Sequence, residues 1–189
     1  MKIYSILASF LLFTLQQLNG QVIQRKDAAD VINFIDSLPN PLKPSANNLV
    51  AYFHKIKSLA NKTNNYILPV NQIDSLKQYY SILLDAYNNA IKMATQNKTI
   101  DKFAGLKNKF LNLLIEGRKP WITVIPVHIK MFTKGRNALN SFEQKQIDKT
   151  SSIFMSAATK TLEWAKIVAT QEDEIEKKYH LVLHGELYK

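Results

Sequence analysis

Hydrophobic residues recur every three or four positions along most of the chain, the spacing that places them on one side of an α-helix. Residues 28–38 show this spacing first, and Pro39 and Pro41 end the segment. Proline has this effect because it lacks a backbone donor and clashes with the preceding helical turn. The same spacing returns in four later segments, residues 49–60, 73–94, 100–114 and 141–179.

Signals for β-structure are scarce by comparison. The chain has 5 glycines, and no Asn-Gly or Asp-Gly pair follows Asn19-Gly20 to form a hairpin turn. We therefore expect an all-α protein, an antiparallel bundle of four to six helices in a single domain over residues 21–189. The first two helices are short enough to span one long partner together. A capping-box pattern at Ser141 and Gln144 predicts the start of a C-terminal helix of nearly forty residues.

Residues 120–132 are harder to assign. They are rich in β-branched residues and contain Pro126, which suits an edge strand. Helical spacing nevertheless persists through the segment, so we favour a helix that starts at Pro120 and is kinked at Pro126. This interpretation also predicts that the preceding helix ends near Gly117.

The N-terminus has the three parts of an export signal. Lys2 is followed by an apolar stretch over residues 3–15 and by a polar stretch that ends at Gly20. We expect a signal peptide over residues 1–20, cleavage near Gly20–Gln21, and a secreted or periplasmic protein. The alternative is an uncleaved anchor, although the apolar stretch is shorter than the roughly 20 residues of a spanning helix. With no cysteine in the chain, a lipoprotein is not expected.

Positive charge is concentrated in the middle of the chain. The formal net charge is +10, and residues 98–149 hold eleven basic and four acidic side chains. The excess is explained either by a solvated surface or by contact with an anionic lipid or polysaccharide. The arrangement of tryptophan, cations and an apolar run around residues 118–136 is typical of an interfacial segment. The residues predicted for that contact are Arg118, Lys119, Trp121, Lys130, Lys134 and Arg136. For Trp121, the alternative is a role in the core.

Motifs that would indicate an enzyme are missing from the sequence. It has no nucleophile elbow, phosphate-binding loop or His-Glu-x-x-His pattern, so we expect no enzymatic activity and no cofactor. Glu176, His180 and His184 follow one another at intervals of four, which gives a weak candidate metal site on one helical face. A solvated helix end explains these three residues equally simply.

Two tripeptides, at Asn61 and Asn97, match the N-glycosylation pattern and matter only if the source is a eukaryote. From the sequence we expect an exported, non-enzymatic helical bundle that acts as a binding or structural module. Its expected partner is another envelope or extracellular protein, or an anionic lipid or polysaccharide surface. No nucleic-acid partner is expected. The first alternative is a membrane-surface or lipid-binding protein that uses residues 118–136. The second is a hydrolase or metal protein whose site the sequence does not reveal.

Overall fold

The computed structural model describes residues 22–63 and 67–181, so the predicted signal peptide lies outside the described residues. Within these ranges the chain forms seven α-helices and one 3-10 turn, with no β-strand, and the prediction of an all-α bundle is confirmed. The helices are α1 (22–37), α2 (Leu42–Thr63), α3 (Val70–Gln96), α4 (Lys98–Asp101), α5 (Ala104–Lys134), α6 (Ser141–Asp148) and α7 (Thr150–Tyr179), and the 3-10 turn is Arg136–Ala138.

Helices α3 and α5 form the antiparallel centre of the bundle. Arg118 on α5 donates to Asn88 on α3 at 2.6 Å, while Lys107, further back on α5, donates to the carbonyl of Thr95, further along α3. The two helices therefore run in opposite directions. On the other side of α5 lies α7, which is also antiparallel, because Phe103 meets Tyr179 whereas Trp121 meets Phe154.

The hydrophobic core has two halves, one at each end of the α3–α5 pair. Helix α1 packs in the half that contains Ala94 of α3 and Phe110 of α5. Helix α2 packs in the half that contains Leu76 of α3 and Phe132 of α5. Helices α1 and α2 therefore lie one after the other along a long partner, as expected from their lengths.

Helix α5 corrects the predicted boundary near Gly117. It continues without interruption for 31 residues and passes through both Pro120 and Pro126, so residues 120–132 are helical. A proline inside a helix costs about 3 kcal/mol. Burial of large apolar side chains such as Val124, Ile125 and Phe132 offsets this cost, since each contributes about 1.5–3 kcal/mol.

The C-terminal helical region also differs in detail from its prediction. It is divided at Lys149 into α6 and α7, so the longest single helix is α5 with 31 residues rather than α7 with 30. The capping box is present one residue earlier than predicted. Asn140 accepts from the amide of Glu143, and the Glu143 carboxylate accepts from the amide of Asn140.

Candidate functional site

The N-terminal half of α7 is bordered by two apolar clefts. It carries small side chains, including Ala157, Ala158 and Ala165, where it faces the bundle. Further along α7, Val168 is buried in the core with α1 and α5. Because alanine fills little space, α7 packs closely on α5 but leaves open clefts beside its first half.

The first cleft, which we call the tyrosine cleft, lies between α3, α5 and α7 and has a volume of about 400 Å³. It is lined by Tyr87, Gly117, Pro120, Trp121, Phe154, Ala157, Ala158, Thr161, Leu162 and Ala165. All of these side chains are uncharged. An apolar group is therefore the best match to its walls.

The second cleft, the lysine cleft, lies between α2, α5 and the first turns of α7 and has a volume of about 300 Å³. Its lining residues are Val50, Phe53, His54, Lys57, Trp121, Ile125, Thr150, Ser151 and Phe154. Its walls are apolar as well, but it also carries two basic side chains and two hydroxyls.

Trp121 and Phe154 form the wall that the two clefts share. Their rings meet edge to face, with centroids 4.8 Å apart, a favourable arrangement for aromatic rings. The indole of Trp121 also donates a hydrogen bond to the Tyr87 hydroxyl. Burial raises the pKa of Tyr87 above its ordinary value of 10.0, and the bond from Trp121 acts in the opposite direction. The Tyr87 hydroxyl is therefore uncharged at neutral pH.

Gly117 allows the Tyr87 side chain of α3 to pack closely against the backbone of α5. A Cβ atom built at this position would lie 3.0 Å from the Tyr87 hydroxyl oxygen, closer than most real contacts of that atom. The glycine that suggested a helix end in the sequence is instead a buried helical residue on which an aromatic side chain of α3 rests.

His128 is buried behind the lysine cleft, where its ring packs edge to face on Phe53 at 4.7 Å. Its Nδ1 donates to the carbonyl of Val124 at 3.1 Å, which leaves Nε2 as the acceptor nitrogen of the neutral ring. Burial lowers the pKa of His128 to about 4, the bond to Val124 opposes this, and the positive charge of Lys57 lowers it further. The imidazole is therefore uncharged at neutral pH.

The basic residues predicted for contact with an anionic surface are mostly held by partners within the chain. Lys119 pairs with Glu116, Lys130 contacts both carboxylate oxygens of Glu143 at 2.7 Å, and Arg136 pairs with Asp148 at 2.7 Å. Lys130 and the amide of Asn140 lower the pKa of Glu143. Arg118 donates to Asn88, and Lys134 is exposed. Trp121 is partly buried and packs against the core.

Two of the three candidate metal ligands lie within the described residues. Glu176 is on α7 and His180 follows its end, whereas His184 lies outside the described residues. Nowhere in residues 22–63 and 67–181 do three or more histidine or acidic side chains come together as a metal site would require. The His180 carbonyl accepts from Arg25 of α1 at 3.0 Å, which joins the two ends of the described chain.

The two N-glycosylation patterns are both at helix ends. Asn61 lies in the last turn of α2. The side-chain oxygen of Asn97 caps α4 by accepting from the amides of Thr99 and Ile100, at 2.8 and 3.2 Å.

The sequence did not reveal the two clefts, because their walls come from four helices. One feature of the sequence did indicate loose side-chain packing along α7. Ala157, Thr161 and Ala165 are small or short residues at intervals of four, which indicates a helical face that fills little space.

Comparisons with protein-family models, with curated proteins and with solved structures give no match to this chain. No helix among the described residues combines the length and the apolar character needed to cross a membrane.

Proposed function

We propose that this protein is an exported, non-enzymatic binding protein that holds an apolar ligand in the clefts beside α7. The observation that carries the proposal is the pair of apolar clefts, about 400 and 300 Å³, with a common wall of Trp121 and Phe154. Small-molecule sites usually measure 300–1,000 Å³ and have mostly apolar linings.

Exposed apolar side chains next to the clefts support the same proposal. Leu162 borders the tyrosine cleft with 58% of its surface exposed, and Val50 borders the lysine cleft with 38% exposed. Apolar surface that is gathered around a concave site favours burial by a ligand, since its removal from water stabilises the complex.

Among the described residues, the polar groups at the lysine cleft form no hydrogen-bonded pair of a hydroxyl and a histidine. A serine or threonine nucleophile is activated by an adjacent general base, often a histidine within hydrogen-bonding distance. In the part of the chain that the structure describes, no hydrogen bond joins His54 to Thr150 or Ser151. The Thr150 hydroxyl instead donates to the carbonyl of Gln146 at 3.1 Å.

The test uses the two tryptophans of the chain. Trp164 does not line either cleft, so replacing it with phenylalanine leaves Trp121 as the only tryptophan and a reporter on the common wall. Titration with the neutral probe N-phenyl-1-naphthylamine should change Trp121 emission in a saturable manner. It should also raise the fluorescence of the probe as the probe enters an apolar site.

Ala158→Phe, in the tyrosine cleft, should weaken binding of the probe by about tenfold or more, because the added ring occupies the cleft. The matched control is Ala169→Phe, at an exposed position of the same helix that lines neither cleft, and it should bind within about twofold of the parent. No saturable signal from Trp121, or equal effects of the two substitutions, would refute the proposed function.

A further inference from the structure

We propose that the ligand is a free, single-chain amphiphile with an anionic head, such as a fatty acid, whose head binds at Lys57. This inference rests on the proposed function, because it assigns a chemical class to the ligand of the same clefts. The chain of the ligand would lie along the lysine cleft and pass Trp121 and Phe154 towards the tyrosine cleft.

The first argument is the sign of the charge. The two clefts are lined by two basic residues, His54 and Lys57, and by no acidic residue. Both basic residues lie at the lysine cleft, together with the hydroxyls of Thr150 and Ser151. The Thr150 proton is already donated to the carbonyl of Gln146, so this end can supply a positive charge and a hydrogen bond from Ser151 to a carboxylate. A cationic head would be repelled.

The second argument is that Lys57, like its neighbour Lys55, forms no ion pair among the described residues, but of the two only Lys57 lines a cleft. Six other basic residues, Lys77, Lys102, Lys107, Lys119, Lys130 and Arg136, form ion pairs with carboxylates. Lys57 forms none within residues 22–63 and 67–181, although it borders a site with apolar walls. Its charge is available to a ligand.

The third argument is the position of the Lys57 charge. It acts on His128, which is buried behind the Phe53 ring on the core side of the cleft. Lys57 is an exposed residue that lines the lysine cleft, so its charge lies at the solvent-facing edge of the site. Because His128 itself stays neutral, it presents a polar but uncharged surface behind Phe53.

The fourth argument concerns the shape of the site. The clefts are two moderate volumes on either side of one aromatic pair, rather than one wide cavity. A single flexible chain can pass over the aromatic pair and reach both clefts in succession, whereas two chains side by side would need a wider space. Each additional buried CH₂ group should then tighten binding about fourfold.

The experiment is displacement of N-phenyl-1-naphthylamine from the purified protein by amphiphiles below their micelle-forming concentrations. We expect dodecanoate to bind about 3–10-fold more tightly than dodecanol and dodecyltrimethylammonium at low salt. Within the series octanoate, decanoate and dodecanoate, affinity should rise with each added CH₂.

Lys57→Met should remove the preference for dodecanoate and leave the affinity for dodecanol within about twofold. The matched control is Lys55→Met, an exposed lysine of α2 that lines neither cleft, and it should retain the preference.

The alternative outcomes are distinguishable. If dodecanol and dodecanoate bind equally well, and Lys57→Met changes neither, the inference is wrong while the proposed function stands. If neither the probe nor any amphiphile binds, the proposed function is wrong as well. Salt-sensitive sedimentation with anionic phospholipid vesicles, weakened equally by Lys55→Met and Lys57→Met, would show a general surface attraction and overturn the inference.

Discussion

Helices α5 and α7 are nearly equal in length, 31 and 30 residues, yet they are buried very differently. Eleven residues of α5 are buried, whereas α7 buries only Thr150 and Val168. Helix α5 contacts α2, α3 and α7 with large side chains, while α7 faces its neighbours with alanines and serines between a few large residues such as Phe154 and Val168. Equal helical periodicity thus produces a central helix in one case and a peripheral, largely exposed helix bordered by clefts in the other.

The largest expected difference between the two helices is in the effect of removing an apolar side chain. Phe110→Ala on α5, where the ring is 1% exposed, should reduce the free energy of unfolding by about 3–5 kcal/mol. Leu162→Ala on α7 should change it by less than about 1 kcal/mol, because that side chain remains largely in water. Urea denaturation of both variants measures the contrast. Similar losses would show that α7 is buried as deeply as α5.

The buried His128 of α5 should make stability depend on pH. Its pKa is about 4 in the folded protein and 6.5 in the unfolded chain, so the unfolded state binds the proton first as the pH falls. Above about pH 6.5 His128 is mostly neutral in both states and has little effect on stability. As the pH falls, protonation of the unfolded state lowers the free energy of unfolding, by about 3 kcal/mol near pH 4. Urea denaturation from pH 7 to 4 should show this loss in the parent and not in His128→Leu. If the free energy of unfolding fell equally with pH in the parent and in His128→Leu, the prediction would be contradicted.

The connection between α5 and α7 depends on the cap of α6. Asn140→Ala should reduce the free energy of unfolding by about 1 kcal/mol, because the side-chain oxygen of Asn140 satisfies the free amide of Glu143. Ser141→Ala, next to it, is the control and should have an effect below about 0.5 kcal/mol. Thermal or urea denaturation of both variants measures the difference in the free energy of unfolding. A larger effect at Ser141 would favour the capping box that the sequence suggested.

The smallest expected effect tests the contact of α5 with α3. Gly117→Ala should raise the free energy of unfolding by up to about 1 kcal/mol, because alanine has a higher helix propensity than glycine. It should lose most of this gain because the new Cβ atom crowds the Tyr87 hydroxyl. In Tyr87→Phe the hydroxyl is absent and the nearest ring carbon lies at 3.5 Å, so Gly117→Ala should there be stabilising. A double-mutant cycle measures this coupling. If Gly117→Ala changed the free energy of unfolding equally in the parent and in Tyr87→Phe, the Tyr87 hydroxyl would not crowd the new Cβ atom.

Much of the fold follows from local patterns. The spacing of apolar residues predicted the helical segments, and Pro39 and Pro41 ended the first one as expected. The helix end near Gly117 was wrong because tertiary burial stabilises a helix through two prolines. The division at Lys149 was not foreseen because apolar spacing continues across it.

Less of the candidate site than of the fold could be predicted from the sequence. Trp121 was identified, but as a residue that contacts an anionic surface or as part of the core, and its place between two clefts depends on Phe154, 33 positions away along the chain. Lys57 carried no local signal. Its significance arises because α2 lies beside the first turns of α7.

The sequence by itself determined the helical class, because a period of 3.6 residues is a local property of the chain. It also determined the excess of positive charge and the lack of thiol chemistry. Only the tertiary structure decided which helix is central and which is bordered by clefts. The volume between helices depends on how the side chains of different segments fill the space between them, and that pairing is set when the segments pack together.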